Sequence, residues 1–321
     1  MKEYILPVGQ DNLKDFFSNL IKTDRLGHAY IFEGDKGIGK KTIAEYFSLV
    51  IMCESHTPCI KCNKCLCTIS RTNPDIIYVD KGDKETINVD KVRDVIKEIY
   101  NRPKLCDRRI FIIDEAHLMN DASQNALLKV IENPPEYAIF ILLTENKNKL
   151  LQTVRSRSMI IRIPPLSNEE IVRISDKESR IGVLYAKGNP GKYLSLLDDE
   201  EFTLMREEFF KEIPKLFSND EYSIFSILDF FVKYKDRKES VFELLISFFE
   251  DIMNKKNKIN LALTNGDKIP LIEKICAGIT KKTSVNLLSL TLDADRETAK
   301  YTSYNIAMQA MLVRLWEEIH G

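Results

Sequence analysis

Apolar positions in the first half of the chain fall in short continuous runs separated by segments with helical spacing. "GHAYIFEG", Gly27 to Gly34, puts the apolar run Ala29 to Phe32 before a glycine turn, and "KTIAEYFSLVIMC" after it has the spacing of a helix. A second run, "DIIYVD" from Asp75 to Asp80, precedes "NVDKVRDVIKEIYNRP", which reads as a helix with Asn88 or Asp90 near its cap. Ile110 to Ile113 form a third run, ending in Asp114-Glu115. The helix "DASQNALLKVIENPP" is stopped by Pro134 and Pro135, and "AIFILLTEN" is a fourth strand. "MIIRI" is a short fifth, closed by Pro164-Pro165. Apolar strands alternating with helices predict an α/β fold, with a parallel sheet covered on both faces.

The pattern then changes. "LSNEEIVRISDKE" opens a helical section, with Ser167 as cap and Glu170 completing a capping box. From about Arg206 the chain reads as long apolar helices without strand signals, interrupted by "NKKNKINLALTNGDKIP", which reads as a mobile connection. The expected organisation is a base domain over 1–163 with the cysteine cluster 53–67 embedded in it, a small helical domain over 164–205, and an all-helical domain over 206–321. No internal repeat or low-complexity tract is evident.

Composition narrows the picture. A chain of 321 residues exceeds what one core usually serves, and 44% apolar with 30% charged residues fits a folded, helix-rich protein. A net charge of −1 excludes a strongly basic field, so any nucleic-acid contact must come from local patches. "MKEYILPVGQDNLKDFF" has too short an apolar run for a signal peptide, and no run of about 18 apolar residues occurs. A cytoplasmic protein without membrane contact is expected.

Two stretches carry chemistry. "GDKGIGKKT", Gly34 to Thr42, follows a strand and opens a helix, the setting of a phosphate-binding loop. Gly34, Gly37, Gly39 and Lys40 suit it, but the position that should offer a hydroxyl to Mg²⁺ is Lys41, an ammonium that only donates. Thr42 lies one residue along the helix, turned by roughly 100°. Asp114 and Glu115, at the end of a buried strand, supply the pair that would position Mg²⁺ and polarise water in an ATPase.

Cys53, Cys59, Cys62 and Cys65 are spaced C-x5-C-x2-C-x2-C, a pattern that can surround a tetrahedral zinc ion. Four thiolates leave no open position, so the zinc would be structural. The first spacing leaves Cys67 as a reserve fourth ligand in place of Cys53. Cys106 and Cys276 stand alone and read as core residues. Of the four histidines, His28 reads as a packing or adenine-pocket residue and His117 as a helix opener; Trp316 reads as core or subunit interface.

"LGHAYIFEGDKGIGKKTIA", the cysteine cluster and "RRIFIIDEAHLMNDASQNALLKVIENPPEYAIFILLTENKNKLLQTVRSRS" together resemble the bacterial DNA polymerase III clamp-loader AAA+ subunits. The likeness is close over about the first two hundred residues, and the three-domain layout covers the rest. It implies a AAA+ base with a helical lid and an all-α collar that binds neighbouring subunits. Within the family the delta-prime subunits are most similar. Motor subunits of the gamma or tau kind carry a lid arginine that senses γ-phosphate, where this chain has Gly191 beside Lys192, and they continue well beyond the third domain, where this sequence ends at "LWEEIHG".

The resemblance implies three further roles. In "VRSRS", Arg157 matches the arginine finger offered in trans to a neighbour's ATP, although Arg155 and Arg157 could equally pair with local carboxylates. Thr144, and more weakly Asn146, fall at sensor 1. The implied partners are the gamma/tau and delta subunits and, through the complex, the sliding clamp and primer-template DNA. Asp114 and Glu115 would then be vestigial, with ATP and Mg²⁺ bound weakly or not at all. The alternative is an active motor ATPase in which Thr42 or a shifted loop rescues Mg²⁺ binding.

Overall fold

The computed structural model describes residues 6–220, 222–300 and 303–321; Met1 to Ile5, the start of the segment weighed as a leader, lie outside it. The chain divides into two compact units. One comprises the residues up to Glu178 with Ala186–Leu194, the other Ser179–Tyr185 with Ser195–Gly321.

In the first unit the elements are α1 (Asp11–Lys22), β1 (Ala29–Glu33), α2 (Lys40–Met52), α3 (Asn63–Ile69), β2 (Ile76–Val79), α4 (Val89–Ile99), β3 (Arg109–Ile113), α5 (Asp121–Glu132), β4 (Ala138–Thr144), α6 (Gln152–Ser156), β5 (Met159–Arg162) and α7 (Asn168–Val172). After α8 (Arg180–Ala186), the first turn of α9 (Pro190–Leu197) returns to it. The strands form one parallel sheet in the order β2-β3-β4-β1-β5.

Strand side chains alternate between faces, which explains the uninterrupted apolar runs. Tyr30, Phe32, Ile110, Ile112, Ile139 and Ile141 pack on one side with Phe17 of α1 and Phe47 of α2. Ile31, Phe111, Ile113, Phe140 and Leu142 pack on the other with Val92 of α4 and Leu127 of α5. Helix α2 is buried along most of its circumference, from Ile43 to Met52, as its nearly all-apolar sequence requires. Edge strand β5 leaves Met159 and Ile160 exposed. The expected capping box forms: Ser167 accepts from the Glu170 N–H, and Glu170 accepts from the Ser167 N–H.

The second unit is helical: α10 (Glu200–Glu212), α11 (Ser223–Lys233), α12 (Lys238–Lys256), α13 (Ile269–Gly278), α14 (Lys281–Lys300) and α15 (Tyr304–His320). Its core centres on Phe209, Phe210, Phe230 and Phe248, whose rings meet mostly edge to face. Trp316 packs against this core. The connection read as mobile is pinned at its far end. Thr264 and Asn265 donate backbone N–H bonds to Asp251, and Asp267 pairs with the buried Arg206 at 2.6 Å. The buried carboxylate and guanidinium hold this loop by satisfying one another's polar groups through it, which its polar sequence did not reveal. Among the described residues no helix is long and apolar enough to cross a membrane.

Candidate functional site

The carboxyl ends of β1, β3 and β4 bring the sequence-selected residues to one edge of the sheet. Gly34 ends β1's run and donates its N–H to Thr144 O at 3.1 Å. Gly37 and Gly39 have φ of 83° and 96°, the region glycine enters without a Cβ clash, so the loop can wrap before α2 starts. Lys40 folds onto that loop, donating to Gly34 O at 2.8 Å and Asp35 O at 2.9 Å. Burial lowers the Lys40 pKa, opposed by the carboxylates of Glu145, Asp114, Asp35 and Glu115.

Strand β3 delivers Asp114 and Glu115 beside this loop, with Asp114 N–H bonded to Val79 O of β2 at 2.8 Å. Both carboxylates face lysines. Lys41 Nζ lies 3.8 Å from Asp114 Oδ2, and Lys81 Nζ, from the turn after β2, lies 3.2 Å from Glu115 Oε2. Lys81 was not selected from the sequence; only the β2–β3 pairing brings it there. Thr42 is exposed at the start of α2. It lines a groove of about 300 Å³ with Gly37, Ile38, Leu166, Pro190 and Gly191. An ammonium against Asp114, with no hydroxyl oxygen at that position, does not fit Mg²⁺, which needs oxygen donors.

The segment Asn189 to Gly191 closes over the loop. Asn189 Nδ2 donates to Lys36 O at 2.7 Å, and Gly191 N–H to Gly37 O at 2.9 Å. A Cβ on Gly191 would lie 2.9 Å from both Gly37 Cα and Gly37 O. Backbone stacks on backbone here, so no arginine fits at this position without moving the loop.

Other selected residues separate. Thr144 is fully buried, and its hydroxyl accepts the Asn146 N–H at 3.2 Å. The Asn146 side chain caps the following turn through Asn148 N–H. His28 sits at the opposite end of β1, its Nδ1 3.3 Å from Ala138 O. His117 lies in a 3-10 turn after Glu115, and burial lowers its pKa. Arg157, partly exposed after α6, reaches Glu132 at the end of α5 at 3.1 Å and Thr153 O at 3.2 Å. Arg155 donates to Asn148.

At the far end of α2 the cysteines converge. Cys53 caps the helix, and the sulfurs of Cys53, Cys59, Cys62 and Cys65 all lie within 4.8 Å of one another. A tetrahedral zinc with Zn–S of about 2.3 Å would separate its sulfurs by about 3.8 Å; the Cys59 and Cys65 sulfurs are 3.9 Å apart. Backbone N–H groups of Cys62 and Cys65 point at the sulfurs of Cys59 and Cys62, each at 3.4 Å, as donors that stabilise thiolates. Burial raises the Cys53 thiol pKa, but hydrogen bonds from Ser55 and the Cys59 backbone outweigh it and hold it below the usual thiol range. Cys67 turns to Asn63 instead. The four sulfurs therefore fit a metal ion with Cys53, not Cys67, in the set.

Family models agree with this architecture in both halves of the chain. One described as "DNA polymerase III, delta subunit" matches residues 9–167, and one described as "DNA polymerase III, delta subunit, C terminal" matches 200–309. The chain is 27% identical to a gamma/tau subunit of DNA polymerase III from Mycoplasma genitalium, over 93% of this chain and 56% of that protein. It is 32% identical to the tau subunit from Bacillus subtilis, over 60% of this chain and 36% of that protein. It thus spans about a third to a little over half of these relatives' lengths. A solved gamma subunit-related protein from Thermotoga maritima superposes over 97% of this chain and 99% of that one, with a TM-score of 0.43 and 16% identity. With a parallel sheet carrying a glycine loop, a helical second half, and family-model matches over residues 9–167 and 200–309, the chain belongs to the DNA polymerase III clamp-loader AAA+ subunits.

Proposed function

We propose that this chain is a delta-prime-like subunit of the replicative clamp loader, helping to place the sliding clamp on primed DNA while hydrolysing little or no ATP itself. The observation that carries the reading is the Lys41–Asp114 pair at 3.8 Å, in place of a hydroxyl and a metal ligand. Gly191, pressed on Gly37 where a motor subunit would carry its lid arginine, supports it independently. The working residue is Arg157, lent to ATP held by an adjacent gamma/tau subunit, where a guanidinium would stabilise transition-state charge. In the free chain Arg157 rests on Glu132, which keeps it near the surface for transfer. Thr144 supports the loop as sensor 1.

The organisation proposed is a AAA+ base over 1–163, a lid over 164–205 and a collar over 206–321 that joins gamma/tau and delta subunits, in the cytoplasm. The cysteine set holds structural zinc. The alternative, an active gamma/tau-like motor, is favoured by the 93% coverage against a gamma/tau subunit. It requires an oxygen for Mg²⁺ from Thr42 or from a shifted loop, whereas the residue beside Asp114 is Lys41.

Arg157→Ala tests the reading. In the reconstituted complex it should lower DNA-stimulated ATPase by about 10³-fold at the site it serves, leaving nucleotide binding by the isolated chain unchanged. An unchanged complex rate would overturn the finger.

A further inference from the structure

Three lysines stand at the loop, among the carboxylates of Asp35, Asp114, Glu115 and Glu145, where a phosphate site that works through a metal needs one. Lys40 is held by Gly34 O and Asp35 O, Lys41 faces Asp114, and Lys81 faces Glu115. The first of the three is the ordinary phosphate lysine. The other two sit against the two carboxylates that would serve a magnesium ion and its water. A divalent cation entering here would lose carboxylate charge to ammonium groups already in place and would meet their repulsion at close range. A polyphosphate anion is drawn by the same ammonium groups: each is only partly covered and can face an incoming oxygen, and by pairing with Asp114 and Glu115 they offset the repulsion those carboxylates would exert on it.

We propose that Lys41, supported by Lys81, is a built-in replacement for Mg²⁺, so that this loop takes a nucleoside di- or triphosphate as the metal-free anion. The inference rests on the reading of this loop as a relaxed, non-hydrolysing nucleotide site, and it names the form of ligand that such a site accepts. Metal-bound nucleotide is the form a hydrolysing neighbour requires. A site with fixed ammonium groups draws on a different form, and Glu115, engaged by Lys81, is diverted from orienting a water. Lys41 sets the choice because it alone stands where the metal's hydroxyl ligand would be. Lys81 pairs with Glu115 rather than Asp114, so it supports the charge without deciding the metal.

The test is calorimetric titration of the full chain with ATP and with ADP, in excess EDTA and in excess Mg²⁺. Wild type should bind at least as tightly in EDTA as in Mg²⁺. Lys41→Thr should lose about tenfold in EDTA and gain about tenfold from adding Mg²⁺. Lys41→Met should show the first loss without the gain, which separates lost charge from restored oxygen and covers the case in which the threonine variant folds poorly. Lys40→Ala should abolish binding in both conditions. Wild-type binding that tightens about tenfold with Mg²⁺, or that is undetectable in EDTA, overturns the proposal. Neither result touches the Arg157→Ala assay, which reads the neighbour's ATP; conversely, an unchanged complex rate in that assay leaves this titration standing.

Discussion

Helix α2 has a candidate ligand site at each end, and the two differ in completeness. At its N-terminus Lys40 and Lys41 follow a glycine loop with the positive φ values a phosphate loop needs, while Lys41 stands where a hydroxyl is expected. At its C-terminus Cys53 enters a set of four sulfurs that is complete, even though its first spacing is short. Backbone shape and side-chain chemistry can therefore be kept or lost separately. The glycine loop is held by glycine φ values and by Gly191 stacking on Gly37, neither of which depends on hydrolysis. The cysteines form only a small cluster with Leu49 and Ile69, supported by hydrogen bonds to the Cys53, Cys59 and Cys62 sulfurs, so the proposed metal would add the largest share of their support.

The largest effect should come from breaking the complete end. Cys65→Ser should lower zinc from about one ion per chain to near zero, and destabilise the first unit by several kcal/mol, short of the roughly 10 kcal/mol that zinc supplies to small fingers. Metal analysis and thermal unfolding would read it. Cys67→Ser should leave zinc content unchanged, and equal loss from both would erase the assignment of Cys53.

The intermediate effect concerns the incomplete end. Gly191→Arg places an arginine at the proposed lid position, but its Cβ would press on Gly37. It should cost about 1–3 kcal/mol by overpacking and bring no gain in ATP affinity. Urea unfolding and titration would check both, and a tighter affinity would mean the loop can yield.

The smallest effect measures what the phosphate lysine costs the free protein. Burial holds the folded pKa of Lys40 below its unfolded value of about 10.4. The penalty on stability is complete at neutral pH, shrinks as pH rises through the depressed folded value, and vanishes above the unfolded one. Lys40→Met should thus unfold slightly later than wild type in urea at pH 7, and this advantage should narrow toward pH 10. A gap independent of pH would assign the difference to packing.

The parallel sheet was legible because strands buried on both faces must be apolar throughout, and Ile110 to Ile113 or Ala138 to Leu143 can be little else. Lys41 and the cysteine set were legible because both are defined by neighbours in sequence, and a helix or knuckle converts short spacing directly into proximity. What tertiary structure alone decided lies across longer separations. Lys81 meets Glu115 because β2 and β3 pair, Glu132 meets Arg157 because α5 and α6 pack, and Gly191 meets Gly37 because the chain returns to the loop after leaving it. Likewise, the fourth sulfur was settled by the end of α2 carrying Cys53 inward while Cys67 turned away on α3. Local chemistry is written in residue order; the partner of a charge is chosen by which elements the core brings side by side.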